Sequence, residues 1–316
     1  MSKMSTERQR IALNGPTMGT RWQATFFAGP EVDPAPIRVA LQAAVDDIDA
    51  QMSTWKPDSA LMRLNAAPVG AWVPVPVHLC NVLRLGLEIG RLSGGAFDIG
   101  MGDVVTAWGF GPDAAAPDRI RAAMTAPRRP AHEVLEIDGT QVRKTAPIAL
   151  DLNGIAKGYG VDRLAETMGA QGLSDALVGI DGELRATGLR PGGEGWTIAI
   201  EAPEHGRRTP RSILTLQDGS VATSGDYRHW IEVGGRRLSH TMDPARGAPL
   251  TETPSSVTVV ARSCAEADAW ATALMVLGPL RGAELAGTRG LDALFLLRDG
   301  AGSVRHVPVG QLFSGQ

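Results

Sequence analysis

Strand-like and helix-like stretches follow one another along this chain without the strict strand–helix–strand repetition that builds a parallel sheet. TMGTRWQATFF (17–27) alternates and is rich in aromatics, which predicts a strand. IRVALQAAVDDIDAQM places Ile37, Leu41, Ala44, Val45, Ile48 and Met52 on one helical face, with Pro36 suited to open that helix. A loop, STWKPDSALMRLN, is expected next, then a helix from Val77 to Leu92 that ends at Gly94-Gly95. GAFDIGMGDVVTAWGFGP is too rich in glycine for a long element. A charged helix is expected near 117–124, then two short strands turning at Asp138-Gly139. ALVGIDGELRATG and WTIAIEAP read as adjacent strands, ILTLQDGSVATSG continues the β pattern, and ALFLLRDG with SVRHVPV reads as a closing hairpin. The order predicts an α+β fold: a single two-lobed unit with a mixed, largely antiparallel sheet and packed helices, spanning 1–316, with 1–10 a disordered tail.

At 316 residues the chain is long enough for a well-buried core. A formal net charge of -3 gives no bulk electrostatic reason to expect a nucleic acid or a membrane surface as partner. Cys80 and Cys264 sit in apolar helical patterns and are expected as buried packing residues, not a disulfide or a metal site. No signal peptide, lipid-attachment cysteine or membrane span is legible, so a cytoplasmic location is expected. Only Lys3, Lys56, Lys144 and Lys157 supply ammonium groups, which singles out Lys157 in its glycine-flanked setting.

Three stretches bear chemistry. In DLNGIAKGYGVDRLAETM (151–168), Asp151 is read as ending an apolar strand, and a glycine-flanked Lys157 follows at the start of a helix. Unpaired amides at a helix start, close backbone approach and a lysine would suit a phosphate, although the spacing is neither a Walker loop nor GxGxxG. The plainer account is a strand-to-helix turn with a capping aspartate and a solvated lysine. In EADAWATALMVLG, Asp268 and Thr272 stand at i and i+4 on an otherwise apolar helix and offer hard oxygen ligands of the kind Mg²⁺ takes. Its plainer account is a charge favoured by the helix dipole and a threonine bonding back to a carbonyl. SGDYRHWIEVGGRRLSHTMDPARGAPL gathers Asp226, Tyr227, Arg228, His229, His240 and Asp243 around a glycine hairpin. A histidine there is either a general base or phosphate partner, or simply a satisfied side chain. On spacing alone the plainer account of each stretch is preferred.

The order of the motifs is more specific than any one of them. GPTMGTRW, MSTWKPDSALMRLN, GGAFDIGMGDVVTAWGFGP, DLNGIAKGYGVD, SHTMDPARGAPL and EADAWATALMVLG succeed one another as in a single family, over roughly residues 10 to 310. The chain resembles the FAD:protein FMN transferases, the ApbE family. The resemblance implies FAD as substrate, Mg²⁺ as cofactor, and transfer of FMN to a Thr or Ser hydroxyl of an acceptor flavoprotein with release of AMP. It also implies flavin or FAD contacts at Met18, Trp55, Phe97, Asp98, Ile99, Asp151, Lys157 and Met242. Magnesium ligands are implied at Asp268, Thr272 and the Gly154 carbonyl. His240 matches a histidine near the reacting phosphates, and His240 or Asp243 is the candidate base. Lys157 would add a fixed positive charge. The alternatives are an FAD pyrophosphatase and a non-catalytic FAD-binding protein. Two departures stand out: Asp181 where the family usually pairs glycines, and Gly100 with Asp103 where threonine and proline are more usual.

Overall fold

The computed structural model describes residues 8–201, 210–226, 230–233, 236–251, 254–298 and 304–314. Tyr227, Arg228 and His229 lie outside the described residues. The frame is an eight-stranded sheet in the order Gln9–Thr17, Thr20–Ala28, Ala176–Ile180, Glu183–Thr187, Gly219–Gly225, Ser256–Ala261, Asp292–Arg298 and Val304–Val309. Each of its pairings is antiparallel, and helices pack against it, as the α+β reading expects.

The first strand pair corrects the sequence reading. TMGT is the turn of a hairpin: Thr17 faces Thr20, with Met18 at φ 46° and Gly19 at φ 71°. Two successive positive φ values are what a tight two-residue hairpin loop demands, and Met18 adopts one without glycine's freedom. Gln9 and Arg10, expected in a tail, belong to this hairpin.

The first long helix runs Pro34–Met52, two residues earlier than Pro36 suggests, because Asp33 caps it by accepting from Ala35 N. The expected loop after it contains a short helix, Ala60–Ala66, started by Ser59 accepting from Met62 N. Val77–Leu92 is a helix as expected, and Leu135–Asp138 pairs with Gln141–Lys144 across Asp138-Gly139. Trp196–Glu201 is not a neighbour of Glu183–Thr187; it pairs with Pro210–Leu216 in a separate two-stranded sheet. The closing hairpin, Asp292–Arg298 with Val304–Val309, forms.

Two helices position the site. The lysine helix, Ala156–Ala170, packs on the Ala176–Ile180 and Glu183–Thr187 strands. The carboxylate helix, Cys264–Arg289, packs on Gly219–Gly225 and Ser256–Ala261 and against the lysine helix. Ser263 and Glu266 form a reciprocal capping box at its start, and Gly278 at φ 74° before Pro279 breaks it into two segments. Leu79, Leu83, Leu274, Met275 and Phe295 anchor one buried cluster; Trp22, Phe26, Leu41, Leu164 and Met168 anchor a second. Cys80 and Cys264 are both free and buried, as expected. Among the described residues no helix is long and apolar enough to cross a membrane.

Candidate functional site

A cavity of about 750 Å³ opens where the two helix starts, the first hairpin turn and the 240–244 segment converge. This volume lies within the roughly 300–1,000 Å³ of cofactor and small-molecule sites. Of the residues expected from sequence, Met18, Trp55, Phe97, Asp98, Asp151, Gly154, Lys157, His240, Met242, Asp268 and Thr272 all line it. Ile99 and Asp243 do not. The Ile99 side chain is buried in the core, and its carbonyl accepts from Asp151 N at 2.9 Å, which holds the Asp151 segment in place. The Asp243 carboxylate accepts from Ala245 N at 2.9 Å and shapes its own turn.

Asp151 does not end a strand. It lies in an irregular segment that Asn65 clamps one residue earlier, through Leu150 N to Asn65 Oδ1 (2.8 Å) and Asn65 Nδ2 to Leu150 O (2.9 Å). The carboxylate accepts from Asn153 N and Nδ2, which folds the turn that delivers Gly154 and the lysine helix. Burial pushes its carboxyl up to about 6, with the Asn153 amide pulling the other way. Asp98 similarly accepts from Gly100 N and Ala131 N, and burial raises its carboxyl despite them.

Lys157 is not a solvated lysine. Its Nζ lies 2.7 Å from Glu183 Oε1 and 3.6 Å from Asp181 Oδ2. Burial works against its charge, but Glu183, Asp268 and Asp181 together raise its pKa. The expected fixed positive charge is held among three carboxylates, Glu183, Asp181 and Asp268, around one ammonium. Glu183 is buried, and its Oε2 has no hydrogen-bond partner. Asp181 holds φ 55°, left-handed backbone that glycine enters freely and aspartate tolerates, which accounts for its place in a turn where paired glycines are usual. The only two non-glycine residues with positive φ among those described, Met18 and Asp181, both line this cavity. The second departure is absorbed locally, since Asp103 takes two hydrogen bonds from Arg128.

On the carboxylate helix, Asp268 is only 5% exposed and accepts from Gly158 N at 3.0 Å. Burial first, then the charge of Glu183, raises its carboxyl to about 7, against the pull of Lys157 and the Gly158 amide. Thr272 Oγ1 meets Ser224 Oγ at 3.1 Å on the neighbouring strand. A Cβ on Gly154 would stand 3.1 Å from Thr272 Oγ1, so the two distant stretches are in contact. The carboxylate, the hydroxyl and the nearby backbone are hard oxygen donors beside a surplus of buried negative charge. That set fits Mg²⁺, which takes one or two carboxylates and completes its shell with water and substrate phosphates.

Sequence reasoning missed Glu183, Ser224 and the apolar wall of Met101, Val105 and Phe110. Met101, Val105 and Phe110 come from the glycine-rich loop, part of which winds into a short helix, Gly102–Ala107. For Glu183 a signal existed: in GELRATG, Glu183 and Arg185 fall on one strand face, and both reach the lysine helix.

This fold and cavity define a known class. The model of the ApbE family matches residues 18–295, and the chain belongs to that family. It is 37% identical to the FAD:protein FMN transferase of Klebsiella pneumoniae (strain 342), over 92% of this chain and 85% of that one. It is 36% identical to the FAD:protein FMN transferase of Vibrio cholerae, over 92% and 88%. Among solved structures, the flavin transferase ApbE from Vibrio cholerae superposes with a TM-score of 0.84 at 33% identity, covering 96% of this chain and 97% of that one. The apo flavinyl transferase ApbE of Pseudomonas stutzeri gives 0.85 at 35% identity, covering 99% of each.

Proposed function

We propose that this protein is an FAD:protein FMN transferase that moves the FMN half of FAD to a Thr or Ser hydroxyl of an acceptor flavoprotein and releases AMP. The observation that carries the reading is the convergence of Asp151, Gly154 and Lys157 with Asp268 and Thr272 on one cavity. The relatives' shared name supports the same activity.

In this reading Met18, Trp55, Phe97, Met101 and Met242 form the apolar side that receives the flavin ring. Lys157, fixed by Glu183, donates hydrogen bonds from a set position and brings no unbalanced charge. Asp268, Thr272 and the Gly154 carbonyl would hold Mg²⁺, which would supply positive charge to offset that of the phosphate oxygens. The acceptor oxygen attacks the FMN phosphorus, the P–O bond to the AMP phosphate breaks with its electron pair leaving on AMP, and His240 takes the hydroxyl proton. His240 is favoured over Asp243 because His240 lines the cavity while Asp243 is engaged in its own turn.

Incubation with FAD, Mg²⁺ and a Thr- or Ser-bearing flavoprotein should produce a flavin-fluorescent band that survives denaturation. FMN and AMP without a labelled band would select hydrolysis, and intact FAD after prolonged exposure to Mg²⁺ would select a carrier.

A further inference from the structure

The lysine helix and the carboxylate helix meet in steps of four residues. Asp162 is buried and takes three hydrogen bonds: Cys264 N (2.9 Å) and Arg185 Nη1 (2.6 Å) on Oδ1, and Ala265 N (3.0 Å) on Oδ2. One turn back, Gly158 N donates to Asp268 Oδ2, and a Cβ on Gly158 would stand 2.4 Å from the Cys264 carbonyl oxygen. One turn further back, Gly154 abuts Thr272. As the first segment is followed backward through 162, 158 and 154, the second advances through 264, 268 and 272. The two therefore run antiparallel, in a register fixed at three successive turns.

We infer that Asp162 is a positioning residue for the cation end of the site, setting the register that brings Asp268 and Thr272 opposite Gly154. It is absent from the cavity wall and acts through the first turn of the carboxylate helix, whose amides lack partners within the helix. A slip of one residue along a helix displaces a side chain by about 1.5 Å, whereas metal–ligand distances tolerate about 0.2 Å. Arg185 completes the clamp from the sheet. It stands two residues from Glu183 on the same strand, so one strand face grips the lysine helix by a Glu183–Lys157 pair and an Arg185–Asp162 pair of opposite polarity.

The inference rests on the reading that Asp268 and Thr272 hold Mg²⁺, and its test separates the two. Mg²⁺ is titrated calorimetrically into the FAD-loaded protein and its variants, and thermal unfolding is recorded alongside. Asp162→Asn should weaken Mg²⁺ binding about tenfold, the scale typical of groups that orient metal ligands, with a smaller change in the KM for FAD at saturating Mg²⁺. Arg185→Gln, which leaves both amide contacts in place, should weaken Mg²⁺ in the same direction by a smaller factor. This variant keeps the test decisive if Asp162→Asn does not fold. Ser263→Ala removes the capping box of the same helix without touching Asp162, and should lower the unfolding temperature with unchanged Mg²⁺ affinity. Folded Asp162→Asn or Arg185→Gln with wild-type Mg²⁺ affinity would overturn the clamp alone. No Mg²⁺ binding by the wild type would overturn the metal reading and the clamp together.

Discussion

Asp268→Ala is expected to fold and to lose turnover by about 10²–10³-fold, a loss of about 3–4 kcal/mol of transition-state stabilisation. The side chain contributes a carboxylate that packing cannot replace, and its one hydrogen bond from Gly158 N is a small part of the helix contact. The same residue carries a stability cost that runs opposite to its function. Burial and Glu183 raise its carboxyl from 3.8 to about 7, so the folded protein holds a proton there that the unfolded chain has released. Stability from this group is therefore fully present below about pH 4 and is lost as pH rises through about 7. Asp268→Asn removes that dependence. Metal-free Asp268→Asn should melt above metal-free wild type at about pH 8, and the advantage should vanish towards about pH 4. An active, Mg²⁺-dependent Asp268→Ala enzyme would refute the ligand assignment, and a metal-free wild type as stable at pH 8 as the Asn variant would refute the electrostatic account.

Gly158→Ala should cost more than any other single methyl in the helix pair. Its Cβ would stand 2.4 Å from the Cys264 oxygen, 2.7 Å from the Cys264 carbonyl carbon and 2.8 Å from Asp268 Cβ. Two of these are backbone atoms, which have no rotamer to change, so the helices must separate. Alanine's better helix propensity offers about 1 kcal/mol, against about 1–3 kcal/mol or more for overpacking, and the steric term wins. Separation also withdraws the Gly158 amide from Asp268, so activity should fall further than stability. Gly169→Ala provides the contrast, because nothing lies within 4 Å of its added methyl. It should raise stability by a few tenths to 1 kcal/mol with unchanged turnover. Equal melting temperatures and activities for both variants would contradict the close approach of the helices.

The sequence carried most of the cavity but not its internal electrostatics. Four-residue spacing puts Asp268 and Thr272 on one helix face, and the glycines around Lys157 mark a helix start, but spacing alone favours a structural account of both. It is the order of the motifs, and the family resemblance that order carries, that singles out Asp151, Gly154, Lys157, Asp268 and Thr272. Their meeting was not legible from spacing, since it depends on Gly158 and Asp162 contacts across more than a hundred residues of chain. The pairing of Lys157 with Glu183 spans only 26 residues, and its signal is the strand face that Glu183 shares with Arg185, which spacing alone does not aim at the lysine helix. Alternation continues through TMGT and predicts strand there, whereas the positive φ values of Met18 and Gly19 reverse the chain. The helix Ala60–Ala66 was hidden in a segment whose proline and polar residues resemble a loop, until Ser59 is recognised as its cap.

The proposed activity requires a divalent ion between the two helix starts. Crystals grown with FAD and Mn²⁺ in place of Mg²⁺, measured at the manganese absorption edge, would locate that ion directly. The expected result is an anomalous peak within bonding distance of the Asp268 carboxylate, the Thr272 hydroxyl and the Gly154 carbonyl. A peak elsewhere in the cavity, with those three oxygens uncoordinated, would contradict it.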